Sequence, residues 1–141
     1  MSRNRLVAYV LGAVYLIVGV VGFAVTSDFV NKNTDKKLLG LFEINGLHNV
    51  VHVLIGVALL AAARAGYRAA RSMNITVGAV YLLVGIIGLF IANDTSSANI
   101  LSLNGGDNVL HIGSALVLLA VGLSEKDYVE VDRERDRAHV N

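Results

Sequence analysis

The sequence predicts an all-α fold: an integral membrane four-helix bundle built from two parallel-duplicated helical hairpins. Three observations predict it. The 141-residue chain is 55% hydrophobic and 16% charged, with a mean hydropathy of +0.61, too apolar for an ordinary soluble domain. Four of its segments meet or approach the roughly 20 apolar residues that cross a bilayer at about 1.5 Å per residue. The second pair of segments nearly copies the first.

Residues 6–25 are the first expected span. Arg3 and Arg5 precede it as they would a signal peptide, but the run is long, lacks a small-residue cleavage site and recurs mid-chain, so it is expected to be retained. The following loop sets Lys32, Lys36 and Lys37 against Asp28, Asp35 and Glu43, then turns apolar over residues 38–44. Residues 47–63 form the second span and residues 75–92 the third, joined by a connection with Arg64, Arg68 and Arg71 and no acidic residue. The next loop has no Lys or Arg and carries Ile100, Leu101 and Leu103 before the fourth span, 109–123. Both outer loops are apolar enough to lie at the interface, as turns or as a lid.

The arginine-rich flanks place the cytoplasm on the side of the N-terminal stub and the middle connection. A multi-pass protein of the cell membrane with both termini cytoplasmic follows. Residues 1–123 then make one four-helix domain, with repeat 1 over about 6–63 and repeat 2 over about 75–123. Residues 124–141 mix Asp, Glu, Arg and Lys without an apolar period, which reads as a solvated charged tail.

The duplication is explicit. GAVYLIVGVVG at 12–22 recurs as GAVYLLVGIIG at 78–88, every change an aliphatic exchange. NGLHNVVH at 45–52 aligns with NGGDNVLH at 104–111. Two spans per repeat leave both copies in the same orientation, related by a pseudo-twofold along the membrane normal. Gly12, Gly19 and Gly22 share a helical stripe with Tyr15, and Gly78, Gly85 and Gly88 share one with Tyr81. Such small-residue stripes let membrane helices approach closely, and each tyrosine is expected to pack there and find one hydrogen bond.

Asn45, His48, Asn49 and His52 fall on one face of the second span, and Asn104, Asp107, Asn108 and His111 repeat that face on the fourth. Facing each other across a pseudo-twofold, they gather three imidazoles, a carboxylate and four amides inside the apolar slab, the default place to look for function. One reading is a divalent metal, zinc or another first-row cation, held by His48, His52, Asp107 and His111, with the asparagines supporting the ligands. A second is haem between His52 and His111, against which stand the room a macrocycle needs and the scarcity of basic residues for its propionates. A third is a proton or solute path, but only Ser114 continues it toward the other side. The fourth is structural: Asn45 and Asn104 cap helices, His48 pairs with Asp107, and the cluster hydrogen-bonds the halves into register.

With no cysteine in the chain, disulfides and thiolate chemistry are excluded. The glycines sit within apolar spans without a phosphate-loop context, no serine sits in a nucleophile elbow, and no general base stands beside the cluster, so catalysis is not the leading expectation. The expected partners are the lipid bilayer and a homo-oligomer or larger membrane complex, not nucleic acid. The paired motifs resemble a family of small bacterial four-helix membrane proteins catalogued as a domain of unknown function, over residues 5–123. That resemblance implies the same topology and makes His48, Asn49, His52, Asn108 and His111 a family signature, without supplying an activity.

Overall fold

The computed structural model describes residues 1–26, 28–30, 36–92 and 97–124. Lys32, Asp35 and the charged tail from Glu125 onward lie outside the described residues. Among the described residues there are four helices, α1 (Arg3–Val25), α2 (Gly46–Ala65), α3 (Tyr67–Ile91) and α4 (Gly105–Ser124), with a short antiparallel hairpin, β1 (Lys37–Leu38) and β2 (Phe42–Glu43), between α1 and α2. All four helices are long and apolar enough to cross a membrane. This is a four-helix bundle of a membrane protein.

α1, α2 and α4 begin where the sequence supplies a side-chain cap. The Ser2 hydroxyl accepts from the Arg5 backbone N–H at 3.3 Å, and the Asn45 carboxamide oxygen accepts from His48 N–H at 2.9 Å. At the start of α4, Asn104 Oδ1 accepts from Asp107 N–H and Asp107 Oδ2 accepts from Asn104 N–H, both at 3.0 Å. That reciprocal pair satisfies two donors that a bare helix end would leave open.

α3 begins at Tyr67, eight residues before the start suggested by hydropathy. Its first two turns are too polar to register as a span, yet tertiary contacts hold them helical. Arg71 Nε donates to the Gly122 carbonyl near the end of α4 at 2.9 Å. Asn74 Nδ2 donates to Asn4 O at 3.0 Å and to Asn4 Oδ1 at 2.9 Å. Arg5 mirrors Arg71 in the other hairpin, donating from Nε to Ala63 O on α2 at 2.8 Å. In each case a guanidinium from the odd helix meets the carbonyl end of the even one, where the helix dipole favours positive charge.

α1 packs along α2 and α3 along α4, and the two hairpins join through α2 with α3 and α1 with α3. α1 and α4 touch only over a short stretch. The glycine stripes are where the backbones close. A Cβ on Gly19 would lie 2.7 Å from the Asn49 carbonyl, and one on Gly12 3.0 Å from Leu59 Cβ. One on Gly78 would lie 3.1 Å from Leu118 Cβ, and one on Gly85 2.6 Å from Ile112 Cγ1. At Gly22 and Gly88 the added atom would overlap the side-chain amides of Asn49 and Asn108. Between the hairpins lies a core of Ala8, Tyr15, Leu59, Ala63, Ala70, Val77, Tyr81, Ala115 and Leu118. Ile17, Leu54, Leu83, Phe90 and Leu116 face outward, an apolar surface suited to hydrocarbon.

Candidate metal centre

Seven residues separate Asn45 from His52, so His52 sits about 10 Å along α2 from the cap, within the span and not at its rim. His48 precedes it by one turn on the same face. Their Nε2 atoms are 3.1 Å apart. From the opposing hairpin, His111 of α4 reaches the same point, and one ligating nitrogen from each of the three rings lies within 4.8 Å of the others. His48 and His111 are buried, while His52 is half-buried.

Two tyrosines close the floor. Tyr15 stands edge-on to His52 with centroids 5.6 Å apart, and Tyr81 stands edge-on to His111 at 4.9 Å. The two phenol rings meet each other at 5.2 Å. The expectation that each tyrosine finds one hydrogen bond is not met: among the described residues neither hydroxyl has a partner. Tyr15 faces Ser114 without reaching bonding geometry, and the Ser114 hydroxyl instead donates to Leu110 O at 2.6 Å.

The imidazoles are also under-bonded. Nδ1 of His48, His52 and His111 is buried without a hydrogen-bond partner among the described residues. The carbonyls of Glu43 and Leu101 stand near the His48 ring, outside bonding geometry. The bond these rings make, His48 to His52, runs within one helix. Each orphaned buried nitrogen costs about 1–3 kcal/mol.

Asp107 stands apart from the three imidazoles, which meet without it. Its Oδ2 is committed to the α4 cap, and the Glu43 backbone stands near its carboxyl. The amides diverge as well, because one residue of helix turns a side chain by about 100°. Asn49 and Asn108 are turned toward Gly22 and Gly88 of their own hairpins. Asn45 Nδ2 donates to Ile100 O at 2.8 Å and to Ser102 Oγ at 3.1 Å. Asn104 Nδ2 donates to Leu41 O at 2.8 Å. The caps thereby tie each outer loop to the opposite hairpin, a role their sequence spacing does not reveal.

Two cavities adjoin the imidazoles. One of about 70 Å³ lies against the β-hairpin, lined by Leu38, Leu39, Phe42 and Ile44 together with His48, His52 and Asp107. The other, about 150 Å³, is lined from α1 by Leu11, Val14, Tyr15 and Val18 and from α4 by Asp107, Leu110, His111 and Ser114, with His52 between them.

A tetrahedral cation with metal–nitrogen bonds of about 2.0–2.1 Å sets its ligand nitrogens about 3.3 Å apart. The His48 to His52 spacing of 3.1 Å is near that value, and a His111 ring nitrogen lies within 4.8 Å of both. Three imidazoles with a cavity beside them make a donor set of the kind that leaves one coordination position open. The cavities are far smaller than a porphyrin.

No curated protein matches the chain, and no solved structure does. The family described as a domain of unknown function (DUF4383) matches residues 5–124, the whole bundle. The chain is therefore a member of that family of domains of unknown function.

Proposed function

We propose that this protein binds one divalent first-row cation, of the zinc class, within its membrane bundle, through His48, His52 and His111. The observation that carries the proposal is that three imidazoles, drawn from both hairpins, bring one ring nitrogen each to within 4.8 Å of the others while making no hydrogen bond across the bundle among the described residues. Were the cluster simply structural glue, its imidazoles would bond across the bundle. The amides do that work instead: Asn45, Asn104, Asn4 and Asn74 all bond the opposite hairpin or its loop.

The proposal includes the architecture in the cell. The hairpins are parallel copies, a reading supported by matching contacts: Arg5 to Ala63 with Arg71 to Gly122, Gly22 on Asn49 with Gly88 on Asn108, Tyr15 on His52 with Tyr81 on His111. Both termini face the cytoplasm, supported by Arg3, Arg5, Arg64, Arg68 and Arg71 at one end of the bundle, so the imidazoles sit in the extracytoplasmic half. Asp107 holds the start of α4 beside the cation and supplies no ligand bond. The protein is a binding or accessory component of its membrane, alone or in a larger assembly.

The test is elemental analysis of full-length protein purified in mild detergent through a tag without histidine. One equivalent of metal per chain is expected, released by acidification as protons compete for the imidazoles. His48→Ala, His52→Ala and His111→Ala each lower affinity by at least about tenfold, and Asp107→Asn retains the metal. Metal that stays substoichiometric, or that ignores all three histidine substitutions, overturns the proposal.

A further inference from the structure

The cavity between α1 and α4 has a chemistry of its own. Its mouth is flanked by Val14 and Leu110, both exposed on the bilayer-facing surface, so it opens sideways into lipid. Its lining is mainly apolar, and the polar side chains within it are Tyr15, Asp107, His52, His111 and Ser114. Tyr15 is 6% exposed and Asp107 4%, and the Tyr15 hydroxyl is one of the orphaned groups. A volume of about 150 Å³ equals that of an engineered apolar cavity that accepts one benzene ring.

We infer that this cavity binds a lipid-soluble molecule carrying a single neutral oxygenated ring, of the quinone or quinol class, entering laterally from the bilayer between α1 and α4. An acyl chain has no oxygen for the buried hydroxyl and carboxyl, and desolvating them against hydrocarbon is unfavourable. A phospholipid phosphate needs cations, and the lining contains no Lys or Arg. A ring oxygen fits both needs. Tyr15 donates to a quinone carbonyl, while Asp107 and the imidazoles accept from a quinol hydroxyl. The second cavity shares Val18, His52, Asp107 and Leu110 with the first, giving ring substituents somewhere to extend beneath the β-hairpin. The site shares His52 and His111 with the proposed cation but does not require it.

The experiment titrates full-length protein in detergent, metal-free and zinc-loaded, with a decyl-substituted benzoquinone and, as control, with decylbenzene. Saturable one-to-one binding of the quinone is expected, with decylbenzene at least about tenfold weaker. Tyr15→Phe weakens the quinone about fivefold. Leu110→Phe, which fills the mouth, abolishes binding, and both variants keep their zinc. Equal affinity for the two probes, no saturation, or indifference to both substitutions overturns the inference. Should a variant fail to fold, photolabelling the wild-type protein with an azidoquinone decides: label on α1 or α4 around Val14 and Leu110 supports the site, and label elsewhere refutes it. Quinone binding by a protein that never takes up metal defeats the cation proposal alone, and zinc binding without quinone binding defeats this one alone.

Discussion

Asn49 and Asn108 pack so tightly on Gly22 and Gly88 that the two glycines cannot gain a methyl group without displacing the amides. Gly22→Ala and Gly88→Ala are expected to destabilise the detergent-solubilised protein by about 1–3 kcal/mol each, read from unfolding in SDS. Adding Asn49→Ala to Gly22→Ala should restore most of that loss. Gly113 offers the contrast, since nothing lies within 4 Å of its would-be Cβ. Gly113→Ala should be neutral or stabilising by about 0.5–1 kcal/mol through helix propensity, and a loss comparable to that of Gly22→Ala would mean that space is not what distinguishes these positions. The imidazoles behave differently again. Replacing His52 and His111 together by Leu removes under-bonded polar groups, so metal-free stability should hold or rise. The added stability that saturating metal confers on the wild-type chain should vanish. A thermal scan with and without zinc separates the two effects. The glycine stripes were legible from spacing, because small residues at three and four apart serve only close packing in lipid. The tyrosines were not, since nothing in a sequence says that a buried hydroxyl lacks a partner.

At the level of elements, each even helix ends under a guanidinium from its neighbour. Arg5→Met and Arg71→Met retain the aliphatic stem but remove the bond to Ala63 O or Gly122 O. Each should cost about 1–2 kcal/mol with little change at the distant imidazoles. If either substitution stripped the metal, the bundle ends would be coupled more tightly than the packing implies. At the opposite ends, Asn104→Ala removes both bonds of the reciprocal cap and the tether to Leu41. A loss of about 0.5–2 kcal/mol is expected, together with faster amide exchange in the first turn of α4. Hydropathy located all four helices because lipid demands long apolar runs. It missed the first eight residues of α3, where Tyr67, Arg68, Arg71 and Asn74 dilute the apolar signal while tertiary bonds keep the backbone helical. The Asn4 to Asn74 pair was equally hidden, although an asparagine at the polar end of an apolar span is a fair hint of an interhelical bond. The β-hairpin went unforeseen because two residues per strand leave no alternation to read, and its turn is set by Leu39 and Gly40 at positive φ.

Over the whole molecule, the duplicated motifs announced that His52 and His111 occupy equivalent places, but equivalence alone does not fix a distance. The meeting of the imidazoles depends on how two hairpins rotate against each other, which is decided by the Tyr15 to Tyr81 contact, by the small core residues between them and by the loop tethers. The exchange of His48 for Asp107 between the copies then acquires a physical sense. A second imidazole at that point would crowd the triangle, whereas a carboxyl can bend back to cap its own helix. The imidazole triangle therefore belongs to neither hairpin: α2 contributes two rings and α4 one. Gly66 joins the halves at φ 123° with open space where a Cβ would be, and most close packing lies within each hairpin. Cutting the chain there should remove a tether and little else. Residues 1–66 and 67–141 expressed together are expected to co-purify and to recover metal at one equivalent per pair, since membrane hairpins that insert separately can still associate laterally. Either fragment alone should lack a stoichiometric site, because two imidazoles from one helix hold a cation far more weakly than three. Full metal binding by the first fragment alone would show that His111 contributes no ligand, and with it the case for a centre assembled across the two hairpins would fall.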